Sequence, residues 1–337
     1  MGCQFYPFRQ PRKPLIFLQD AVMLALNMQQ KNNNWLIADV GATSCRIAVY
    51  DGESINNLQI SMNDDHHSLE AKLSDYLKAT KISPSHAVLA VAASVESDEI
   101  CMSNRDWHFS PASLAAVGFD KVELVNDFHA IAFALPVFGD KDRLEIGEAT
   151  HYREGTMAVL GPGSGLGMAA WVEGGATMFG EGGHVTLPAR DSREEQILTR
   201  LRDRYGHVSA ERVLSGPGLL ALHTAMHDET LASPEDVFSA PSTNAKAATI
   251  NQFYRFLGTA AADLALITGA TGGVYIAGGI VPSYPELIAN SDFRQRFEDK
   301  NRLREYMQSI PTWVISEPVP GLRGLAAFID RDRSASR

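Results

Sequence analysis

An Asn-Asp pair, Asn126-Asp127, closes the short apolar run Val122 to Val125 and precedes a second apolar stretch, Phe128 to Leu135. This pattern reads as a strand that ends in a carboxylate at the mouth of a helix, which is where open α/β sheets bind their ligands. A carboxylate there faces the positive end of the helix dipole, so Asp127 is expected to stay ionised and to accept a proton at neutral pH. The same position suits a helix N-cap, and spacing alone leaves both roles open.

A second polar cluster lies in Gly180-Glu181-Gly182-Gly183-His184-Val185. Glycines on both sides leave Glu181 and His184 open to a polyhydroxy ligand, the carboxylate accepting from hydroxyls and the imidazole donating or accepting. A zinc reading lacks a third ligand.

Glycine-rich turns supply a third kind of site. Asp39-Val40-Gly41-Ala42-Thr43-Ser44 and Gly161-Pro162-Gly163-Ser164-Gly165-Leu166-Gly167 each sit between two apolar runs. Aligned without a gap, Leu36 to Gly52 and Ala158 to Gly174 place Gly41 on Gly163, Ala48 on Ala170 and Gly52 on Gly174, an internal repeat. Two hairpin tips of this kind expose backbone N–H groups that can approach phosphate oxygens from two sides. A third turn, Gly278-Gly279, follows the apolar run Val274 to Ala277 and suits close approach to a nucleoside or phosphate. Between two such hairpins a nucleoside triphosphate could be held while one carboxylate orients a substrate hydroxyl. Asp39, at the mouth of the first hairpin, suits a magnesium ligand acting through water, and equally an ordinary turn residue.

The elements that must position these groups alternate between strand and helix. Trp35 to Asp39, Arg46 to Tyr50, Ala87 to Ala93 and Val122 to Val125 read as strands, and Leu69 to Thr80 carries apolar residues at helical spacing. Beyond the second hairpin, helices are expected over Ser192 to Tyr205, after Ser209, and over Lys246 to Thr268. The expected architecture is two α/β lobes around a cleft. Pro320-Gly321-Leu322-Arg323-Gly324 marks a return crossing between them.

Composition agrees with a two-domain globular chain: 337 residues, 45% hydrophobic and 21% charged. A formal charge of -10 and the lack of a basic stripe argue against a nucleic-acid partner. Cys3, Cys45 and Cys101 fit neither a disulfide framework nor a zinc motif and suggest a reducing cytoplasm. Leu15 to Met28 is apolar but interrupted by Gln19 and Asp20, too short to span a membrane and without a cleavage site, so residues 1–34 are expected to form a loose extension.

Taken together, these stretches resemble the proteobacterial glucokinase family within the sugar kinase, Hsp70 and actin superfamily. The resemblance runs from Trp35 to Phe328 and is most specific in Glu181 to Val185, His207 to Gly218, Gly272 to Pro282 and Phe297 to Lys300. It implies two actin-like (ribonuclease H-like) lobes: a small one of residues 35–136 and 317–337, a large one of residues 137–316, closing on the sugar. It also implies ATP-dependent, Mg²⁺-assisted transfer of a phosphoryl group to the 6-hydroxyl of glucose, in a homodimer. Residue by residue, the resemblance makes Asp127 the base and Asn126, Glu181, His184 and Glu211 sugar ligands. It places the phosphates at Gly41, Ala42, Thr43, Gly163, Ser164 and Gly165, with Gly278 and Gly279 near the nucleotide. Glu211 owes its role to the resemblance alone, since Ser209-Ala210-Glu211 otherwise reads as a helix start.

The first hairpin departs from the family's usual Asp-Val-Gly-Gly-Thr-Asn at Ala42 and Ser44. An Ala at a position of positive φ would cost about 1 kcal/mol and add a methyl near the phosphates. Ala93 to Asp98 likewise lacks the Cys-Pro and Gly expected of a sugar-facing loop. Two alternatives to an active glucokinase follow: a sugar-binding pseudokinase with a spoiled ATP hairpin, and a kinase for another hexose.

Overall fold

The computed structural model describes residues 34–335 other than 94, 96, 103, 104, 240 and 241. The N-terminal extension and part of the Ala93 to Asp98 segment therefore lie outside the described residues.

Two sheets organise the chain. The first contains β1 (Trp35–Val40), β2 (Ser44–Tyr50), β3 (Ile55–Met62), β4 (His86–Val91) and, after the short ribbon β5 (Ile100–Cys101) and β6 (His108–Phe109), β7 (Lys121–Asn126). Its order is β3-β2-β1-β4-β7, with the hairpin strands antiparallel and β1, β4 and β7 parallel. The second contains β8 (Arg143–Glu145), β9 (Met157–Pro162), β10 (Leu166–Trp171), β11 (Thr177–Gly180), β12 (Gly273–Ile276) and β13 (Thr312–Ile315) in the order β11-β10-β9-β12-β13-β8. Leaving aside the antiparallel edge strand β8, the two orders are the same. The repeat seen in the sequence is therefore a repeat of whole lobes.

Its two hairpins are not identical. Val40 pairs with Cys45 across the first tip, whereas Pro162 pairs with Leu166 across the second, so the second loop is one residue shorter. The gapless alignment holds for the strands and slips by one in the pairing.

Burial follows the period of two that a strand imposes. Leu36, Ala38 and Val40 face a core shared with Leu69, Leu73 and Tyr76 of the helix Leu69–Thr80, while Ile37, Ala48, Val88 and Ala90 face the other way. That opposite face is covered by Leu322, Leu325, Ala326 and Ile329 of the C-terminal helix Pro320–Ala335, which follows the second sheet. Reciprocally, the helix Asp127–Ala134 follows β7 of the first sheet yet packs Ile131, Ala132 and Ala134 against Val159, Ala169, Tyr275 and Trp313 of the second. The far face of the second sheet buries Ala158 and Leu160 against the long helix Asn244–Thr268, through residues such as Phe253 and Leu257.

Two expectations need correcting. The helix awaited after Ser209 begins at Gly216 (Gly216–His227), because Ser215 supplies its cap by accepting from Gly218 N. The C-terminal helix expected after Pro320 is present, but Pro320 to Gly324 forms its opening turns and not the crossing, with Pro in the first turn where its missing N–H costs nothing. The return crossing lies just before it, where Ser316 N and Glu317 N donate to Asp142 O at 2.9 and 3.2 Å. The glycines serve close packing: a Cβ at Gly324 would overlap Ala130 O of the Asp127–Ala134 helix.

Gly324→Ala is a test of that contact. In an ordinary helix interior the change stabilises by about 1 kcal/mol, whereas forced separation of two packed helices costs about 1–3 kcal/mol. We expect a net loss of stability in thermal unfolding.

Candidate active site

The chain reaches the site along β7, whose last residue, Asn126, is extended (φ -65°, ψ 148°) and caps the following helix. Its Oδ1 accepts from Phe128 N at 3.0 Å and His129 N at 3.2 Å. The capping role that the sequence left open for Asp127 is thus taken by its neighbour, and Asp127 occupies the first helical position. There its Oδ1 accepts from Phe128 N at 2.9 Å.

The environment of Asp127 raises its pKa to about 7, chiefly through burial and then through the negative charge of Asp39. Hydrogen bonds from Phe128 N and from the Asn126 side chain oppose the shift without cancelling it. The expectation of a fully ionised carboxylate at neutral pH is therefore corrected: desolvation and a like charge outweigh the helix N-terminus. A carboxyl that is half ionised near pH 7 suits proton abstraction, which works best when donor and operating pH are matched.

Asp39, the penultimate residue of β1, lies on the face covered by the C-terminal helix. Arg46, its cross-strand neighbour, approaches to 3.5 Å, and a Cβ at Gly321 in the helix's first turn would lie 2.9 Å from Asp39 Cγ. Burial raises the Asp39 pKa and Arg46 lowers it, burial being the stronger. Two carboxyls held in one region with raised pKa values make a place where a divalent cation would be welcome. Among the described residues no three His, Cys, Asp or Glu side chains gather as metal ligands.

In the first hairpin Gly41 N donates to Ser44 O at 3.1 Å, and the buried Asn63 donates from Nδ2 to Gly41 O at 2.8 Å and from its backbone to Thr43 O at 2.9 Å. Arg105 donates to Ala42 O at 3.4 Å and stacks over Trp107. Ala42 does not have positive φ, so the strain that would follow from replacing a glycine there does not arise. Asn63 and Arg105 were not foreseen, since their hairpin partners lie about 20 and 60 residues away in sequence.

The second hairpin is braced from two sides. Gly216 N donates to Gly163 O at 2.8 Å, and Ile280 N donates to Pro162 O at 3.2 Å. Gly278 needs its glycine twice over, for φ of +83° and because a Cβ would collide with Pro162 O. Thr43, Ser164, Gly278 and Gly279 are exposed, and Gly41, Ala42, Gly163 and Gly165 are half-buried.

Glu181, His184 and Glu211 come together beside this hairpin. His184 Nε2 lies 3.7 Å from Glu181 Oε2 and 4.0 Å from Glu211 Oε1. Glu211 is no helix start: its N–H donates to Gly183 O at 2.8 Å within a turn, and its Oε2 accepts from Leu166 N at 2.9 Å. One carboxylate therefore ties the polar cluster to the second hairpin. Gly165 must lack a side chain for this, since a Cβ there would lie 2.6 Å from Glu211 Oε2.

The raised Asp127 pKa has consequences of two signs. For activity, kcat/KM reports the free enzyme's base and should fall as pH drops through about 7. For stability, a folded-state pKa above the ordinary 3.8 means that the native state holds the extra proton between about pH 4 and 7. The contribution is fully present below pH 4 and is lost as pH rises through 7. Asp127→Asn should therefore raise Tm relative to the parent at pH 8, by a few degrees, with a smaller difference at pH 4.

A family model described as Glucokinase matches residues 36–332. The chain is 40% identical over 311 residues to a glucokinase of Aromatoleum aromaticum, covering 88% of this chain and 94% of that one. It is 37% identical over 320 residues to a glucokinase of Paramagnetospirillum magneticum, covering 89% and 98%. Among solved structures, a glucokinase from an Antarctic psychrotroph aligns with TM-score 0.79 and 31% identity over 89% of this chain and 99% of that chain. A ROK family glucokinase from Streptomyces griseus, solved with glucose and AMPPNP, aligns with TM-score 0.58 and 17% identity over 88% and 99%, a likeness of fold.

Proposed function

The chain belongs to the glucokinase family, and from that premise we propose that Asp127 is the base of its phosphoryl transfer. The activity is the ATP-dependent phosphorylation of glucose to glucose 6-phosphate. In the proposed step Asp127 takes the proton of the 6-hydroxyl while that oxygen attacks the γ-phosphorus, and the bond to the leaving ADP oxygen breaks in line. The observation that supports the assignment is the place of Asp127 at the first helical position after β7, under the influence of Asp39, with Asn126 relieving it of the cap and Phe128 beside it packed on the second hairpin.

Asn126, Glu181, His184 and Glu211 are the proposed sugar ligands, their carboxylates accepting from hydroxyls and the imidazole answering as donor or acceptor. Gly41, Ala42, Thr43, Gly163, Ser164 and Gly165 would face the phosphates with backbone N–H groups, and Gly278 and Gly279 would lie under the nucleoside. Asp39 would hold Mg²⁺ through water, in keeping with an ion that retains its hydration. Bound with ATP, that ion would neutralise charge on the phosphate oxygens.

The same reading divides the chain into a small lobe of residues 35–136 and 317–337 and a large lobe of residues 137–316. Closure of one on the other would exclude water, so that sugar and not solvent attacks ATP. It includes a homodimer in the cytoplasm; light scattering on the purified chain reads the assembly. No helix among the described residues is long and apolar enough to cross a membrane.

Asp127→Ala should lower kcat by about 10²–10⁴ while calorimetric binding of glucose persists. Retained turnover would remove the assignment. Across a hexose panel, glucose should give the highest kcat/KM; mannose, fructose or an amino sugar ahead of it would redirect the substrate reading.

A further inference from the structure

The residue after Asp127 occupies an unusual seat. Gly161 of β9 and Gly167 of β10 face each other directly across the second hairpin. A Cβ at Gly167 would overlap the Phe128 ring, and one at Gly161 would lie 2.7 Å from that ring and 2.6 Å from the backbone of Ala277 and Gly278. A facing pair of glycines inside a hairpin sacrifices β propensity and side-chain packing. Here the pair makes a bare patch of backbone that the Phe128 ring fills. The ring belongs to the apolar cluster shared by the Asp127–Ala134 helix and the second sheet. The Phe128 N–H meanwhile donates to both Asn126 Oδ1 and Asp127 Oδ1, at 3.0 and 2.9 Å. One residue thus grips the glycine hairpin with its ring and the acidic turn with its backbone.

We propose that Phe128 is a positioning residue for phosphoryl transfer: its ring, seated on Gly161 and Gly167, fixes the Asp127 carboxyl relative to the second glycine hairpin. The inference rests on the reading of Asp127 as base. It explains why these two glycines lie in the strands flanking the tip, one step removed from the phosphate-facing positions Gly163 to Gly165. Displacement of a reacting group by about 1 Å can cost on the order of a hundredfold in rate, so a small loosening of this seat is enough to matter.

The test is a double-mutant cycle read in kcat, KM for glucose, the pH profile and Tm. Phe128→Leu should lower kcat by about ten- to a hundredfold with KM for glucose within about twofold. Water admitted beside Asp127 should also move the acid limb of kcat/KM downward, since burial is the main cause of its position; Asp39, the Phe128 N–H and the Asn126 side chain remain as the other influences there. Gly167→Ala, which drives a methyl into the ring, should cost a similar factor in the parent and little more in a Phe128→Ala background, where the seat is empty. A folded Phe128→Leu enzyme with parental kcat, or losses from Phe128→Ala and Gly167→Ala that simply multiply, would overturn the proposal. Asp127→Asn is measured alongside. Undiminished turnover in that variant removes the base reading itself, whereas turnover lost in Asp127→Asn and intact in Phe128→Leu removes only the positioning role.

Discussion

The structure depends on an exchange of helices. Each sheet has one apolar face covered from outside its own run of strands: the helix that follows the last parallel strand of one sheet packs on a face of the other. Neither sheet covers both of its faces with the helices between its own strands, so hydrophobic burial ties the two sheets together. The two exchanged helices meet where Gly324 lies against Ala130 O. The same packing brings two acidic residues into one region: Asp127 opens one helix at the end of β7, and Asp39, near the end of β1, rests on the first turn of the other.

That convergence is costly for folding and useful for chemistry. Two carboxyls with pKa values raised by burial and, for Asp127, by mutual repulsion are poorly solvated in the native state. The cost is tolerated because large apolar clusters on both sheets supply the stability. What results is a carboxyl near the middle of its titration at neutral pH, beside a hairpin whose glycines leave room for an anionic ligand. Glu211 extends the same economy, since its one carboxylate holds the hairpin at Leu166 N and reaches His184 on the other side.

Much of this was legible in the sequence where the signal is local. The glycine turns, the helices Leu69–Thr80 and Ser192–Tyr205, and the carboxylate at the end of β7 follow from periodicity and turn chemistry within a few residues. The repeat marks the two hairpins in the sequence, whereas the shared strand order of the whole sheets is seen only in the structure. What escaped was set by partners distant in the chain. Asn63 and Arg105 hold carbonyls of the first hairpin from elsewhere in the lobe, and Gly161 and Gly167 are bare for a ring that arrives from another element. The Asp127 ionisation was misjudged for the same reason: the helix N-terminus is visible in sequence, whereas burial and the approach of Asp39 are not. Ala42 likewise looked like a defect only so long as its backbone conformation was unknown.

Burial and the approach of Asp39 leave Asp127 poised to take a proton near neutrality. Difference infrared spectroscopy of the ligand-free enzyme, titrated between about pH 5 and 9, observes such a carboxyl directly. The account predicts a protonated-carboxyl band that disappears with a midpoint near 7 and is missing in Asp127→Asn. A parent enzyme with no carboxyl titrating in that range, its Asp127 ionised throughout, would contradict it.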